Sequence, residues 1–243
     1  KNDSIWNLNA IIDGDFIQDD FRTIERLYRA EFNRDWNIET PLGNQQLLTS
    51  GLQLFHPKKG VISYQFEHLN YSENFNGNRH LTTVNLRLNR FNIISYTSIL
   101  NAKSNINTST FLRSFNHISY GFNTSWIGTK ISFEDNEQIN KITNELTPLS
   151  QKFMSYEFFV GIGDSTKVFA EIGYKNRIND SIRNNSLQKV NTSNTYYINS
   201  KIIQNERTNL SLYINFRLLK SEDTTVEDEQ SLNSRLQYSQ RFF

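Results

Sequence analysis

The sequence predicts an all-β protein: an antiparallel up-and-down transmembrane β-barrel of about twelve strands, or a large segment of one. The first observation is a period of two, as in residues 82–88, where Val84, Leu86 and Leu88 alternate with polar residues. Side chains two residues apart lie on the same face of a strand, so this period predicts one apolar and one polar face. The other two observations are the length of the predicted strands and the alternation of short and long connections between them.

The composition excludes several classes of protein. With 37% hydrophobic residues, a mean hydropathy of −0.60 and no long apolar stretch, the chain is not expected to contain a transmembrane helix. A barrel needs only every second residue of its strands to be apolar. The absence of cysteine removes disulfides, thiol nucleophiles and cysteine metal sites. A net charge of +1 gives no electrostatic reason to expect nucleic acid as a partner.

The chain is predicted to have two parts. Residues 1–20 are expected to be an irregular N-terminal segment, a candidate plug or linker, and residues 21–243 the barrel domain. No apolar targeting segment is seen, so we expect a processed protein or a piece of a longer one. In 22–38 the even positions carry Ile24, Tyr28 and Phe32, which favours a strand, although these residues also share one face of a helix.

Eleven further strands are predicted, at 45–56, 60–72, 79–90, 92–104, 109–124, 126–135, 151–163, 165–178, 190–204, 207–220 and 231–243. Short connections are expected at 57–59, 90–92, 125, 163–165 and 205–206, and long ones at 39–44, 72–78, 104–108, 136–150, 179–189 and 221–230. The prolines at 41, 57 and 148 all lie in these connections, as expected since proline cannot donate to a strand ladder. Strands of roughly 12–17 residues exceed the 9–11 that cross a bilayer, so their excess should project beyond the membrane on the long-loop side.

The two faces of the predicted strands differ in chemistry. The lipid face is expected to carry Leu48, Leu52, Leu54, Ile62, Tyr64, Phe66, Val84, Leu86, Leu88, Ile118, Tyr120, Phe122, Met154, Tyr156, Phe158, Val160, Ile162, Val168, Ala170, Ile172, Tyr174, Leu210, Leu212, Ile214, Phe216 and Leu218. The candidate lumen-lining residues are Arg87, Arg113, His117, Lys130, Glu157, Glu171, Lys175, Lys201, Arg217 and Arg235, and Glu67, Glu134 and Arg177 have the same parity. Such a mixed polar interior either lines a selective pore or forms a solvated lumen whose charged side chains pair with each other and through which no solute passes.

No catalytic, cofactor-binding or metal-binding residues are predicted. The four histidines, at 56, 68, 80 and 117, lack the spacing of a metal motif. His117 and Ser119 share a strand face, but a hydrolase needs a histidine, a serine and a carboxylate that converge. The aspartates at 13, 15, 19 and 20 surround Gly14 without the spacing of an EF-hand, so we interpret them as a solvated turn in preference to a calcium site.

Two segments resemble outer-membrane proteins. The segment 21–38, FRTIERLYRAEFNRDWNI, resembles a recurrent stretch of very long outer-membrane β-barrel-type proteins of Bacteroidota whose function is unassigned. The resemblance implies that the chain is a segment of a much larger β-rich protein, and it supplies no catalytic residues. The last predicted strand ends in Phe242 and Phe243, which resembles the assembly signal of outer-membrane barrels.

These patterns lead to an expected function. We expect a non-enzymatic barrel in the outer membrane of a Gram-negative bacterium, acting as a channel or as a membrane scaffold in an envelope translocation or assembly complex. Its expected partners are outer-membrane lipid and other envelope proteins, with no cofactor. The alternatives are an outer-membrane hydrolase, a phospholipase or protease, and a soluble β-protein that binds glycans.

Overall fold

The protein forms a single antiparallel sheet of twelve strands, arranged in the order of the chain. The computed structural model describes residues 5–18, 44–71, 75–164, 168–183, 185–204, 208–223 and 226–240. The strands are β1 (Asn7–Ile17), β2 (Gln45–His56), β3 (Gly60–Tyr71), β4 (Phe75–Leu88), β5 (Phe91–Ser104), β6 (Asn107–Phe122), β7 (Ser125–Asn140), β8 (Gln151–Gly163), β9 (Phe169–Arg183), β10 (Ser186–Gln204), β11 (Thr208–Ser221) and β12 (Glu229–Gln240). This confirms the predicted all-β, up-and-down fold class.

The sheet is open within the described residues. Each strand pairs with the strands before and after it in the chain, while β1 and β12 lie at the two edges and do not pair with each other. Strand lengths run from 11 residues in β1 to 19 in β10. Most strands are therefore longer than a bilayer crossing of about 9–11 residues requires. None of the described residues forms a helix long and apolar enough to cross a membrane.

The expectation of an irregular segment over residues 1–20 is wrong for Asn7–Ile17, which forms β1. Its residues pair in unbroken register with β2, from Asn7 opposite Phe55 to Ile17 opposite Gln45, so this stretch belongs to the sheet and is not a plug. Leu8, Ala10 and the later even positions continue the apolar face of β2 through these pairs. The aspartates around Gly14 are typical of turns, so the sequence pattern favoured a turn over a strand here.

The predicted strand at 22–38 lies outside the described residues, and so do the resemblance at 21–38 and the two terminal phenylalanines. The described sheet thus reaches twelve strands with β1 in place of that segment.

The strict alternation of short and long connections is also wrong. Among the connections from β2 to β12, only 141–150 and 222–228 are long, whereas β5 ends at Ser104 and β6 begins at Asn107. β3 likewise ends at Tyr71, with β4 beginning at Phe75, and two residues separate β9 from β10. The polar segments assigned to long loops continue the ladder, as where Asn76 pairs with Asn70. Main-chain hydrogen bonds form regardless of side-chain polarity, so loss of the apolar pattern did not mark the strand ends.

The tight turns follow from local chemistry. Asn89 and Asn123 adopt positive φ angles of 56° and 41° in the β4–β5 and β6–β7 turns, a conformation that asparagine tolerates. In the β2–β3 turn, Nδ1 of buried His56 accepts hydrogen bonds from the amides of Lys58 and Lys59 at 3.1 and 3.2 Å. Gly60 follows with a φ of 114°, and a Cβ there would lie 1.9 Å from the carbonyl oxygen of Asn85. We call this end of the sheet, which also carries the β8–β9 and β10–β11 connections, the proximal end.

The hydrophobic core is small. Within the described residues one buried apolar cluster forms near the opposite, distal end, with the members Leu69, Phe75, Leu100 and Ala102, against which Leu47 and Phe111 pack. A single-layer sheet has no second layer against which to bury an apolar face. Many large apolar side chains of the described strands are therefore left exposed.

Candidate functional site

The pairing register divides the strands into two faces. Residues directly opposite each other in antiparallel strands project to the same side of the sheet, so a face can be followed from strand to strand. We call a series of residues paired from strand to strand a pairing row. One such row begins with Leu88 and Phe91 and continues through Tyr120, Ile127, Val160, Ile172, Ile198 and Ile214. We call this side of the sheet the apolar face and the other side the polar face. The predicted lipid-face residues that lie in these paired strands share the parity of the apolar face.

The apolar face is exposed over most of its width. Ile12 in β1 is 82% exposed, Ile172 in β9 is 60% exposed and Leu232 in β12 is 68% exposed. Monomeric soluble proteins rarely leave a continuous apolar patch of this kind facing water. The exposed side chains reach from one edge strand to the other, so the feature is a band and not a local patch.

The band crosses the pairing rows at an angle. The row that includes Leu52 in the middle of β2 passes through Tyr64, Thr82, Thr97, Ser114, Phe133, Met154, Ile178 and Thr192 and ends at Lys220. Lys220 lies near the distal end of β11, whereas the apolar Ile214 occupies the middle of that strand. Barrel strands are tilted and staggered, so a layer of constant depth must cross the rows. The drift of the band is the pattern that tilted strands require.

The band has a polar distal border. In β8 it extends over nine residues, from Met154 to Ile162, and it is preceded by Lys152. Nζ of Lys152 lies 3.1 Å from a carboxylate oxygen of Asp135, so charges follow directly where the apolar run ends. A span of about 9–11 strand residues matches the hydrocarbon thickness of a bilayer.

Tyrosines lie next to this border. The rings of Tyr156, Tyr174 and Tyr196 form a chain across β8, β9 and β10, with centroids 6.3 and 5.2 Å apart. The hydroxyl of Tyr174 donates to Oδ1 of Asn194 at 2.8 Å, toward the polar side of the border. Aromatic girdles with an apolar body and a polar tip are typical of membrane–water interfaces.

The candidate lumen residues all lie on the polar face, and five of them lie in one pairing row. This row runs in the order His117, Lys130, Glu157, Lys175, Thr195 and Arg217. Glu171 and Arg235 share a more proximal row, and Lys201 is paired with Phe169 beside a register shift. Arg87 pairs with Asn92 at the proximal end of β4, two strands from Arg113 and His117 in β6 and three or more strands from the other candidate lumen residues.

Two carboxylates of the polar face are bound by aromatic donors. Glu157 accepts hydrogen bonds from Nζ of Lys130 at 2.6 Å and from the hydroxyl of Tyr197 at 2.8 Å. Glu171 accepts hydrogen bonds from Nε1 of Trp126 at 3.0 Å and from the Tyr197 hydroxyl at 3.4 Å. Tyr197 of β10 therefore links Glu157 of β8 and Glu171 of β9. Hydrogen bonds to charged groups are stronger than those between neutral groups.

Similar pairs occur elsewhere on this face. Nε of Arg113 lies 2.9 Å from a carboxylate oxygen of Glu134, and Arg79 lies 2.7 Å from Glu67. Glu134 and Glu67 are 8% and 7% exposed, so both carboxylates are withdrawn from solvent. These pairs fit the self-paired interpretation of the polar face in β3, β4, β6 and β7.

Three glycines of the polar face each lie beneath an aromatic ring, a feature that sequence reasoning missed. Gly128 is opposite Phe159, Gly161 is opposite Trp126, and Gly173 is opposite Tyr197. An added Cβ would lie only 2.1–2.3 Å from the nearest ring atom at each of these positions. An aromatic ring laid over a strand glycine covers exposed backbone and holds the register. These contacts between rings and glycines could be predicted from the sequence only if the pairing register of the strands were already known.

His117 does not form a catalytic arrangement with a serine and a carboxylate within the described residues. Its ring packs edge-on against Phe159 with centroids 5.6 Å apart, and its Nε2 is buried without a hydrogen-bond partner. The described part of the chain also contains no group of three or more residues that could hold a metal ion. Asp13 and Asp15 lie in β1, while the aspartates at 19 and 20 lie outside the described residues.

We expect the Lys130–Glu157 pair to stabilise the folded protein measurably. Lys130→Met leaves Glu157 with one fewer charged donor, so a double-mutant cycle with Glu157→Gln should give a coupling of about 1–2 kcal/mol in the free energy of unfolding. The measurement is urea unfolding of protein folded in detergent. The matched control is the exposed Lys189–Glu222 pair, 2.7 Å apart, for which we expect less than about 1 kcal/mol. Equal coupling energies in the two cycles would contradict a larger contribution of the Lys130–Glu157 pair to stability.

Comparison with protein-family models, with curated proteins and with solved structures found no match to this chain.

Proposed function

We propose that this chain forms the wall of a β-barrel in the outer membrane of a Gram-negative cell and acts, without enzymatic activity, as a channel or membrane scaffold. The observation that carries the proposal is the exposed apolar band, which drifts across the pairing rows from Leu52 in β2 to Ile214 in β11. A layer of lipid at constant depth against tilted strands accounts for both the exposure and the drift.

The polar face supports the same proposal. Its side chains include paired charges and hydrogen-bonded amides, as expected for a hydrated barrel interior. An even number of strands in up-and-down order also places the two edge strands antiparallel, so they have the relative direction needed to pair on closure. Other envelope proteins are the proposed partners for any edge that remains open, because an unpaired edge presents free main-chain donors and acceptors.

The test is the electrophoretic mobility of the detergent-folded protein with and without boiling. We expect an unboiled, β-rich band that migrates faster and shifts to the full apparent mass on heating, because a closed barrel resists unfolding by the gel detergent. Conductance in planar bilayers then separates the channel from the scaffold. A monomer that is soluble without detergent and shows no mobility shift would contradict the proposed membrane barrel and favour a glycan-binding β-protein.

A further inference from the structure

A groove of about 630 Å³ lies on the polar face of β7–β11. Its charged lining consists of Lys130, Lys175, Arg177, Arg217, Glu157 and Glu171, so cations outnumber carboxylates. The rest of the lining is made of hydroxyl, amide and tyrosine side chains, including Ser193 and Thr195. The groove is therefore rich in hydrogen-bond donors and carries an excess of positive charge.

The two carboxylates of the groove are already engaged. Glu157 is bound by Lys130 and Tyr197, and Glu171 by Trp126 and Tyr197. No ion pair between described residues includes Lys175, Arg177 or Arg217. The excess positive charge is thus concentrated on three side chains of β9 and β11.

These three cations surround the hydroxyl groups of β10. Thr195 has Lys175 directly opposite on one side and Arg217 directly opposite on the other. Directly opposite residues have Cβ atoms about 4.5–5.5 Å apart, so both long side chains can reach a group seated over Thr195. Arg177 is opposite Ser193 in the next row.

Arg177 is held in position before any ligand arrives. Its Nε donates to Oδ1 of Asn179 at 2.8 Å, and its guanidinium lies 4.6 Å from the centroid of the Phe153 ring. A guanidinium stacked and hydrogen-bonded in this way loses less conformational entropy on binding an anion.

We propose that this groove binds an oxyanion group of a small solute, a phosphate, sulfate or carboxylate, between Lys175 and Arg217 over the hydroxyl of Thr195. Arginine and lysine form charge-assisted hydrogen bonds with such groups, and Arg177 supplies further donors in the next row. The inference rests on the proposed function and deepens it, since a cationic groove inside a barrel would favour anionic solutes.

The experiment is isothermal titration of the full chain, folded in detergent at low ionic strength, with inorganic phosphate, sulfate and gluconate as separate probes. Sucrose serves as the uncharged probe. We expect saturable binding of at least one anion and none of sucrose. Arg217→Gln should weaken binding about tenfold or more, because one charge-assisted contact is removed. The preference among the three anions identifies the oxyanion chemistry.

The matched control is Lys220→Gln, which removes the same charge from the same strand but from the apolar-face parity, opposite Thr192. It should leave the affinity unchanged, and Lys175→Gln provides a second variant within the groove. Absence of saturable binding in the wild-type chain, or equal weakening by R217Q and K220Q, overturns the inference. A wild-type protein that shows the heat-dependent gel shift but binds no anion contradicts this inference alone, whereas loss of the gel shift contradicts the barrel.

Discussion

Gly128→Val should destabilise the folded protein by about 3 kcal/mol or more. A Cβ at this position would lie 2.3 Å from the Phe159 ring and 2.9 Å from the carbonyl oxygen of Ile118. Phe159 is only 5% exposed, so its ring has little room to move away. Its displacement also removes the contact with Lys130, whose Nζ lies 4.9 Å from the ring centroid. Urea unfolding of detergent-folded protein measures the change.

The matched control is Gly121→Val in the adjacent strand β6. Gly121 has the parity of the polar face, but its added Cβ would have only the Arg90 carbonyl oxygen nearby, at 3.8 Å. We expect a change within about 0.5–1 kcal/mol, since valine suits a strand where space is open. The double variant Gly128→Val with Phe159→Ala should cost less than the sum of its parts, because the missing ring makes room. Equal losses at Gly128 and Gly121 would show that the ring-over-glycine contact does not hold the register.

Under the proposed barrel arrangement, Ile172→Arg should cost roughly 2–4 kcal/mol when the protein is folded in lipid vesicles, because a charge within the lipid-covered band is poorly solvated. Ile172 is 60% exposed and is paired with Val160 on one side and Ile198 on the other, all within the apolar band. The same substitution at an exposed position in water usually changes stability by less than about 0.5 kcal/mol. The size of the change in stability therefore shows whether the apolar face is covered by lipid or by water.

Two controls separate depth and face. Asn199→Arg introduces the same side chain on the polar face, opposite Glu171, and should be tolerated. Ile162→Arg, near the proximal end of β8, should cost about 0–1 kcal/mol because the penalty falls toward the interface. A near-zero cost at Ile172, or equal costs at Ile172 and Asn199, contradicts a lipid-covered apolar face.

Much of the site's chemistry could be predicted from alternation alone. The parity of Lys130, Glu157 and Lys175 places them on the face opposite their apolar neighbours in any strand pairing. Parity does not say which residues of different strands meet, because sliding a strand by two residues preserves its faces and changes every partner. The contacts of Tyr197 illustrate this limit. It reaches Glu157 over a separation of 40 residues, and no local pattern marks it as a donor.

Alternation in the sequence predicted β2–β12, their two faces and the apolar parity of most of the band, because successive side chains of a strand project to opposite faces. The tertiary structure was needed to show that Asn7–Ile17 joins the sheet and that polar segments extend the ladders beyond the apolar runs. It also decided the register that lays Phe159 over Gly128 and gathers Lys175 and Arg217 around Thr195. These features depend on main-chain hydrogen bonds, which form without regard to side-chain type, and on contacts between residues far apart in the chain.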